Sequence, residues 1–165
     1  LDLRIVITVQ VVGIRLEIPS NQPVLILRDE ENSRYLPLWI GPAEATAISI
    51  ALDNIKSPRP LTHDLLKSVI ENVGDKLISV SINELLDGTF YATLNFAHHE
   101  AVSARPSDAV ALALRCGVPV MVATEVLDEA ALPVEDDDHD GEGTSEDELE
   151  AFRAFLDDIN PEDFS

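Results

Sequence analysis

Two short segments share a layout suited to holding an anion and moving a proton. Arg59-Pro60-Leu61-Thr62-His63-Asp64-Leu65-Leu66 sets an arginine, a proline, a capping threonine, a histidine and a carboxylate at the head of a helical pattern. Arg105-Pro106-Ser107-Asp108 repeats Arg-Pro before a capping residue and an acid, and a second helical pattern follows. His63 falls in a first helical turn, near free backbone N–H groups and the positive end of the helix dipole. That makes it an acid/base candidate. Arg59 and Arg105 are candidate clamps for a phosphate. Asp64 and Asp108 are candidate ligands for a hard divalent cation, Mg²⁺ or Mn²⁺, with Glu44 as a third. The catalytic candidates are therefore His63, Asp64 and Asp108. The matching segments predict that Arg59, His63, Arg105 and Asp108 meet in the folded chain, with Glu44 beside them.

Each of these residues also has a plain structural reading. An acid in a first helical turn is favoured electrostatically, which accounts for Glu44, Asp64 and Asp108 without any catalysis. Arg105 facing Asp108 reads equally as an ion pair. His98-His99-Glu100 is a poor bidentate metal site, because neighbours on a strand point to opposite faces, and it reads as a solvated hairpin tip. Trp39 and Tyr35 read as sheet or interface packing, and Cys116 as inert core.

The elements that must carry these side chains follow from periodicity. Leu3–Glu17 reads as a strand bulged at Gly13, Val24–Arg28 and Tyr35–Ile40 as two more, together an antiparallel meander. Gly41-Pro42 opens a helix with Ala43, Ala47, Ile48, Ala51, Leu52 and Ile55 on its apolar face. The helix Thr62–Val73 sets Leu61, Leu65, Leu66, Val69, Ile70 and Val73 on one face and His63 and Lys67 on the other. Lys76–Leu85 and Thr89–Phe96 flank Asp87-Gly88, a hairpin signal. A short strand Ala101–Ala104 precedes the helix Ser107–Cys116, which is apolar nearly all round and reads as buried. A strand Val118–Ala123 and a short helix Glu125–Ala131 complete the domain, an α+β fold with a mixed, largely antiparallel sheet and packed helices.

The net charge of −20 is uneven. Residues 133–165 hold fourteen acids and one arginine, a net of −13, leaving −7 for residues 1–132. Neither part has the basic surplus of a protein that grips nucleic acid by charge alone. A single cysteine excludes an internal disulfide framework and fits a reducing cytoplasm. No apolar run reaches membrane-spanning length, and Leu1–Leu16 lacks the design of a signal peptide. Three parts follow: a domain over 1–132, an acidic linker over 133–145 read as disordered, and an amphipathic helix with its tail over 146–165. In that last part Ser145 and Glu148 form a capping box, and Leu149, Phe152, Phe155, Leu156 and Ile159 make a stripe that needs a partner surface.

Four motifs in order resemble the bifunctional nuclease domain family. They are Tyr35-Leu36-Pro37-Leu38-Trp39-Ile40-Gly41-Pro42, Arg59-Pro60-Leu61-Thr62-His63-Asp64-Leu65, Asp87-Gly88-Thr89-Phe90-Tyr91-Ala92 and Ala104-Arg105-Pro106-Ser107-Asp108-Ala109. Order and spacing match over about residues 9–132, and the acidic tail resembles those of actinobacterial members. The resemblance implies an α+β fold, a homo-oligomer, here expected as a dimer through a sheet edge, and a nuclease acting on DNA and RNA. It supplies no catalytic residues. A phosphodiester needs an activated water, charge relief on the phosphoryl oxygens and a proton for the leaving oxygen, and the residues named above hold all three parts. The reading is a nuclease of low sequence specificity dependent on a divalent metal. The alternative is a non-catalytic interaction or regulatory module that binds a protein or nucleotide through its Arg-Pro helix N-termini.

Overall fold

A computed structural model describes residues 5–134 and Ala154. The chain runs β1 (Val6–Glu17), β2 (Gln22–Asp29), β3 (Arg34–Trp39), α1 (Pro42–Leu52), α2 (Thr62–Asn72), β4 (Leu77–Leu86), β5 (Thr89–Phe96), β6 (Val102–Ala104), α3 (Pro106–Cys116), β7 (Val120–Ala123), α4 (Thr124–Ala130) and β8 (Leu132–Pro133). One eight-stranded sheet takes the order β6-β5-β4-β7-β1-β2-β3-β8. Every neighbouring pair is antiparallel except β4 with β7, where Val80 faces Val120 and Ile82 faces Val122. The fold is α+β, as its sequence pattern implies.

The strands follow from local chemistry. β1 shifts register between Val11 and Gly13, and Gly13 takes φ +153°, a conformation L side chains rarely adopt. Asp87 and Gly88 both have left-handed φ, 50° and 77°, as a two-residue hairpin turn between right-twisted strands requires. In β2 the five residues Pro23–Leu27 are all buried, so this strand is covered on both faces rather than alternating. The sheet ends on β6 and β8, strands of three and two residues. They pair with only part of β5 and β3 and leave the remainder of those two strands as open edge.

α1 and α3 pack on each other; α1 also lies on β1 and β2, α3 on β4 and β5, and α2 on α3. α3 is the most buried of the described helices: Ser107, Ala109, Val110, Ala111, Leu112 and Ala113 are all inside. Its small side chains let neighbours approach closely. α1 buries Ala45 and Ile48, while Ala43 and Ile55, assigned to its core face by sequence, are exposed.

α2 departs furthest from its pattern. The residues Leu65, Leu66, Val69 and Val73 are exposed, and its one buried residue is His63. The helix is turned so that His63 and Asp64 meet α3, Ile70 packs against the core, and Leu65, Leu66, Val69 and Val73 point away. Thr62 is also its first helical residue rather than its cap; Leu61 stands at the cap position. Among the described residues no helix is long and apolar enough to cross a membrane. The tail helix predicted over 146–159 lies outside the described residues except for Ala154, which is helical and exposed.

These placements set opposite expectations for two leucines. Leu112→Ala, at a fully buried site in α3, is expected to cost about 2–5 kcal/mol. Leu65→Ala, on the exposed face of α2, is expected to cost less than about 1 kcal/mol. Urea unfolding of the two variants reads both, and equal losses would refute this orientation of α2.

Candidate functional site

Three helices open with the same device. Their N-cap residues are Gly41, Leu61 and Arg105, and none makes a side-chain capping bond. Each helix instead carries an acid at its third position: Glu44 in α1, Asp64 in α2 and Asp108 in α3. An anion there is favoured by the unpaired N–H groups and the dipole. Pro42 and Pro106 begin α1 and α3, where a missing N–H costs nothing.

Packing of the helices brings four of these side chains into one connected cluster. Arg105 donates from Nε to Asp108 Oδ2 at 2.9 Å and from Nη2 to Glu44 Oε1 at 2.7 Å. The other Asp108 oxygen, Oδ1, meets His63 Nε2 at 3.0 Å. The chain Glu44–Arg105–Asp108–His63 thus joins α1, α3 and α2 across sequence separations of 61 and 45 residues. Gly41 makes room for it: a Cβ at that position would run into the Glu44 carboxylate.

The protonation states follow from these bonds. Burial works to raise Asp108, but the hydrogen bonds from His63 and Arg105 outweigh it and hold the carboxyl below its usual range. Glu44 is also lowered, first by its own backbone N–H and then by Arg105. An ionised Asp108 can only accept, so His63 Nε2 carries the hydrogen and donates. The remaining ring nitrogen, Nδ1, has no partner within the described residues. Arg28 Nε is the one described buried side-chain nitrogen or oxygen without a hydrogen bond, so His63 Nδ1 reaches water. The arrangement is an Asp–His dyad with one nitrogen fixed by a carboxylate and the other free to take a proton.

Asp64 lies in a second, separate cluster. Its Oδ2 accepts the Leu61 N–H at 2.9 Å and its Oδ1 accepts Arg115 Nε at 2.8 Å. The Leu61 bond and then Arg115 lower its pKa. Arg115, with its side chain 6% exposed, also donates to Ala111 O at 2.7 Å and Ala47 O at 3.0 Å. Arg115 escaped the sequence reading; the signal available was its place as the first charge in α3 after Asp108. Arg59 is exposed and makes no hydrogen bond or ion pair among the described residues. His98 and His99 also gain a partner: Asp75 accepts the His98 and Lys76 N–H groups and pairs with His99 Nδ1. The tip is solvated, as its sequence implies, and is also stapled to Asp75, three residues past the end of α2. Trp39 donates to the buried Glu17 at 3.1 Å, which agrees with a packing role.

The carboxylates do not offer a divalent cation the converging, unpaired oxygens it needs. The Asp64 oxygens are taken by Arg115 and Leu61, those of Asp108 by His63 and Arg105. Arg105 itself occupies the space between Glu44 and Asp108, where a cation's charge would sit. Among the described residues no three His, Cys, Asp or Glu side chains gather as a ligand set.

Comparison with known proteins places this geometry. The family model of the bifunctional nuclease domain matches residues 25–135. The chain belongs to the bifunctional nuclease domain family. It is 51% identical over 158 residues to an uncharacterized protein of Mycobacterium tuberculosis, a match covering 94% of this chain and 96% of that protein. It is 31% identical over 108 residues to bifunctional nuclease 2 of Oryza sativa subsp. japonica, covering 61% of this chain and 33% of the plant protein. Bifunctional nuclease 1 of Arabidopsis thaliana is 23% identical over 107 residues, with 61% and 33% covered. The chain therefore matches about a third of each plant protein, and the whole mycobacterial one. All four residues of the cluster lie inside the family match.

The depressed carboxylates make stability depend on pH with a definite sign. Asp64 and Asp108 fall below 3.8, and Glu44 below 4.5. The unfolded chain binds more protons, so their contribution is complete above those values and is lost as pH falls through the lower folded values. Urea midpoints are expected to drop on acidification below about pH 4. Asp64→Asn and Asp108→Asn should each flatten that drop, and an unchanged slope in both would refute the pairing.

Proposed function

We propose that this chain is a nuclease of low sequence specificity that cleaves phosphodiester bonds in DNA or RNA, with His63 as its proton-transfer group. The single observation that carries the reading is the His63–Asp108 dyad, with Nδ1 reaching water. Asp108 holds the ring in one tautomer and stabilises the imidazolium once it forms. His63 Nδ1 takes a proton from the attacking water as the new P–O bond forms. The same proton returns to the leaving oxygen as the old P–O bond breaks. Arg105, with a side chain 65% exposed, presents guanidinium N–H groups to the phosphoryl oxygens, where charge grows in the transition state. Arg59, free and just ahead of α2, supplies a second contact to the nucleic-acid backbone. Asp64 positions α2 rather than touching substrate. Family membership supports the nuclease class.

One observation favours a second reading. Glu44 and Asp108 together outweigh Arg105, so the cluster is net negative while His63 is neutral. A net-negative cluster whose arginine is already paired suits an interaction module that presents rigid helix N-termini without chemistry.

Cleavage of DNA and RNA by the purified chain separates the two. His63→Gln is expected to lower the rate about 10²–10⁴-fold. Asp108→Asn should lower it as well, and Arg59→Ala should raise KM with little change in kcat. Assays with added Mg²⁺ or Mn²⁺ and with chelator ask separately whether a cation takes part. Equal cleavage by wild type and His63→Gln, with both proteins folded by circular dichroism, would remove His63 from the chemistry, and no cleavage by the folded wild type would leave the interaction module as the surviving reading.

A further inference from the structure

The outward face of α2 is an unusual surface. Leu65, Val69 and Val73 are 55%, 48% and 67% exposed, Leu66 joins them, and Ile55 from the preceding loop is exposed as well. Single exposed apolar side chains need no explanation, but a run along one helix marks an interaction site. The basic side chains near it are also uncommitted. Lys56, Arg59 and Lys76 are exposed and make no ion pair among the described residues; Asp53 and Glu71 are exposed and unpaired as well, while Asp64 pairs with Arg115 and Asp75 with His99. In a domain whose net charge is −7, this stretch keeps a small surplus of unpaired positive charge.

We propose that this face is the docking surface for the chain's own segment 146–159. That segment carries the complementary pattern. Leu149, Phe152, Leu156 and Ile159 recur at helical spacing, and Glu146, Asp147, Glu148, Glu150, Asp157 and Asp158 set six acids against Arg153. Ala154 is helical and exposed, and it lies about 200° around the helix from Phe152, on the side away from the stripe. The two stripes match in length. Leu65 to Val73 spans about 12 Å of helix, and Leu149 to Ile159 about 15 Å. The chain between Val134 and Glu146 reaches about 40 Å when extended, against a radius of gyration of about 14 Å for a domain this size. It is therefore about as long as the domain is wide. A second copy fits less well, since a symmetric α2–α2 contact would bring the lysines and arginines of both chains together, whereas the tail brings acids to them.

The test uses the full chain with Cys116→Ala, so that two introduced cysteines are the only thiols. Asn72→Cys, within a turn of Val69, and Arg153→Cys, at the middle of the tail stripe, are joined with a flexible bis-maleimide at low protein concentration. The expected product is a monomer cross-linked within one chain. Val69→Asp should reduce its yield at least tenfold and raise amide exchange in residues 149–159 by a similar factor. The urea midpoint of the domain should stay unchanged, because Val69 is exposed. A cross-link formed only between chains gives the face to a second copy and overturns the proposal. So does the absence of a cross-link with unprotected tail amides, and so does a yield that ignores Val69→Asp.

Discussion

The Arg115 side chain holds the three site helices in one arrangement. A guanidinium taken almost wholly out of water is costly unless its donors are met. Here Nε goes to a carboxylate on α2, Nη1 to a carbonyl of α3 and Nη2 to a carbonyl of α1. Each bond lands on a different helix, so satisfying one cation fixes three bodies. Once Asp64 faces Arg115, the rotation of α2 is set. His63, one residue earlier, turns inward beside Asp108, and Leu65, Leu66, Val69 and Val73 turn out. The dyad and the exposed stripe are two consequences of one buried ion.

That constraint explains which parts of the molecule were legible in the sequence. The three-stranded meander, the Asp87-Gly88 hairpin, the bulge at Gly13 and the burial of α3 all follow from local signals of period, turn chemistry and composition. The meeting of His63, Arg105 and Asp108 with Glu44 was also legible, because the Arg-Pro segments mark helix starts that an α+β packing brings together, but Arg59, expected in the same cluster, makes no bond to it. The orientation of α2 was not. Periodicity shows that a helix has an apolar face but not what that face meets, and the buried arginine that decides it sits 51 residues from its carboxylate. The exclusion of Asp64 from the cluster has the same cause. Nothing local separates an acid that caps its own helix from one that reaches its neighbour.

The energetics of α2 make its orientation informative. Fully burying a leucine or valine side chain is worth about 1.5–3 kcal/mol, and α2 leaves four of them at least partly in water. The buried Arg115 guanidinium, left without its carboxylate on α2, would carry an uncompensated charge out of water, which is costly. The polar clamp therefore opposes the loss from the outward stripe, and a covering surface would recover that loss. An apolar stripe kept outward by a polar clamp is poised for a partner in a way that a stripe merely left over on a surface is not.

The same logic separates the three first-turn acids. Glu44, Asp64 and Asp108 start from one electrostatic position, the N-terminal turn of a helix, and differ only in what reaches them. Asp64 meets a buried arginine held at three points and is locked. Asp108 meets His63 on one oxygen and Arg105 on the other. Glu44 meets its own backbone N–H and Arg105, whose side chain is largely exposed and is shared with Asp108. A phosphate arriving at this cluster competes with Glu44 for Arg105 while Asp108 keeps its hold on His63. The loose end of the cluster is therefore its solvent side, and the tight end is the dyad. Substrate can exchange one partner of one arginine without disturbing the histidine that would do the chemistry.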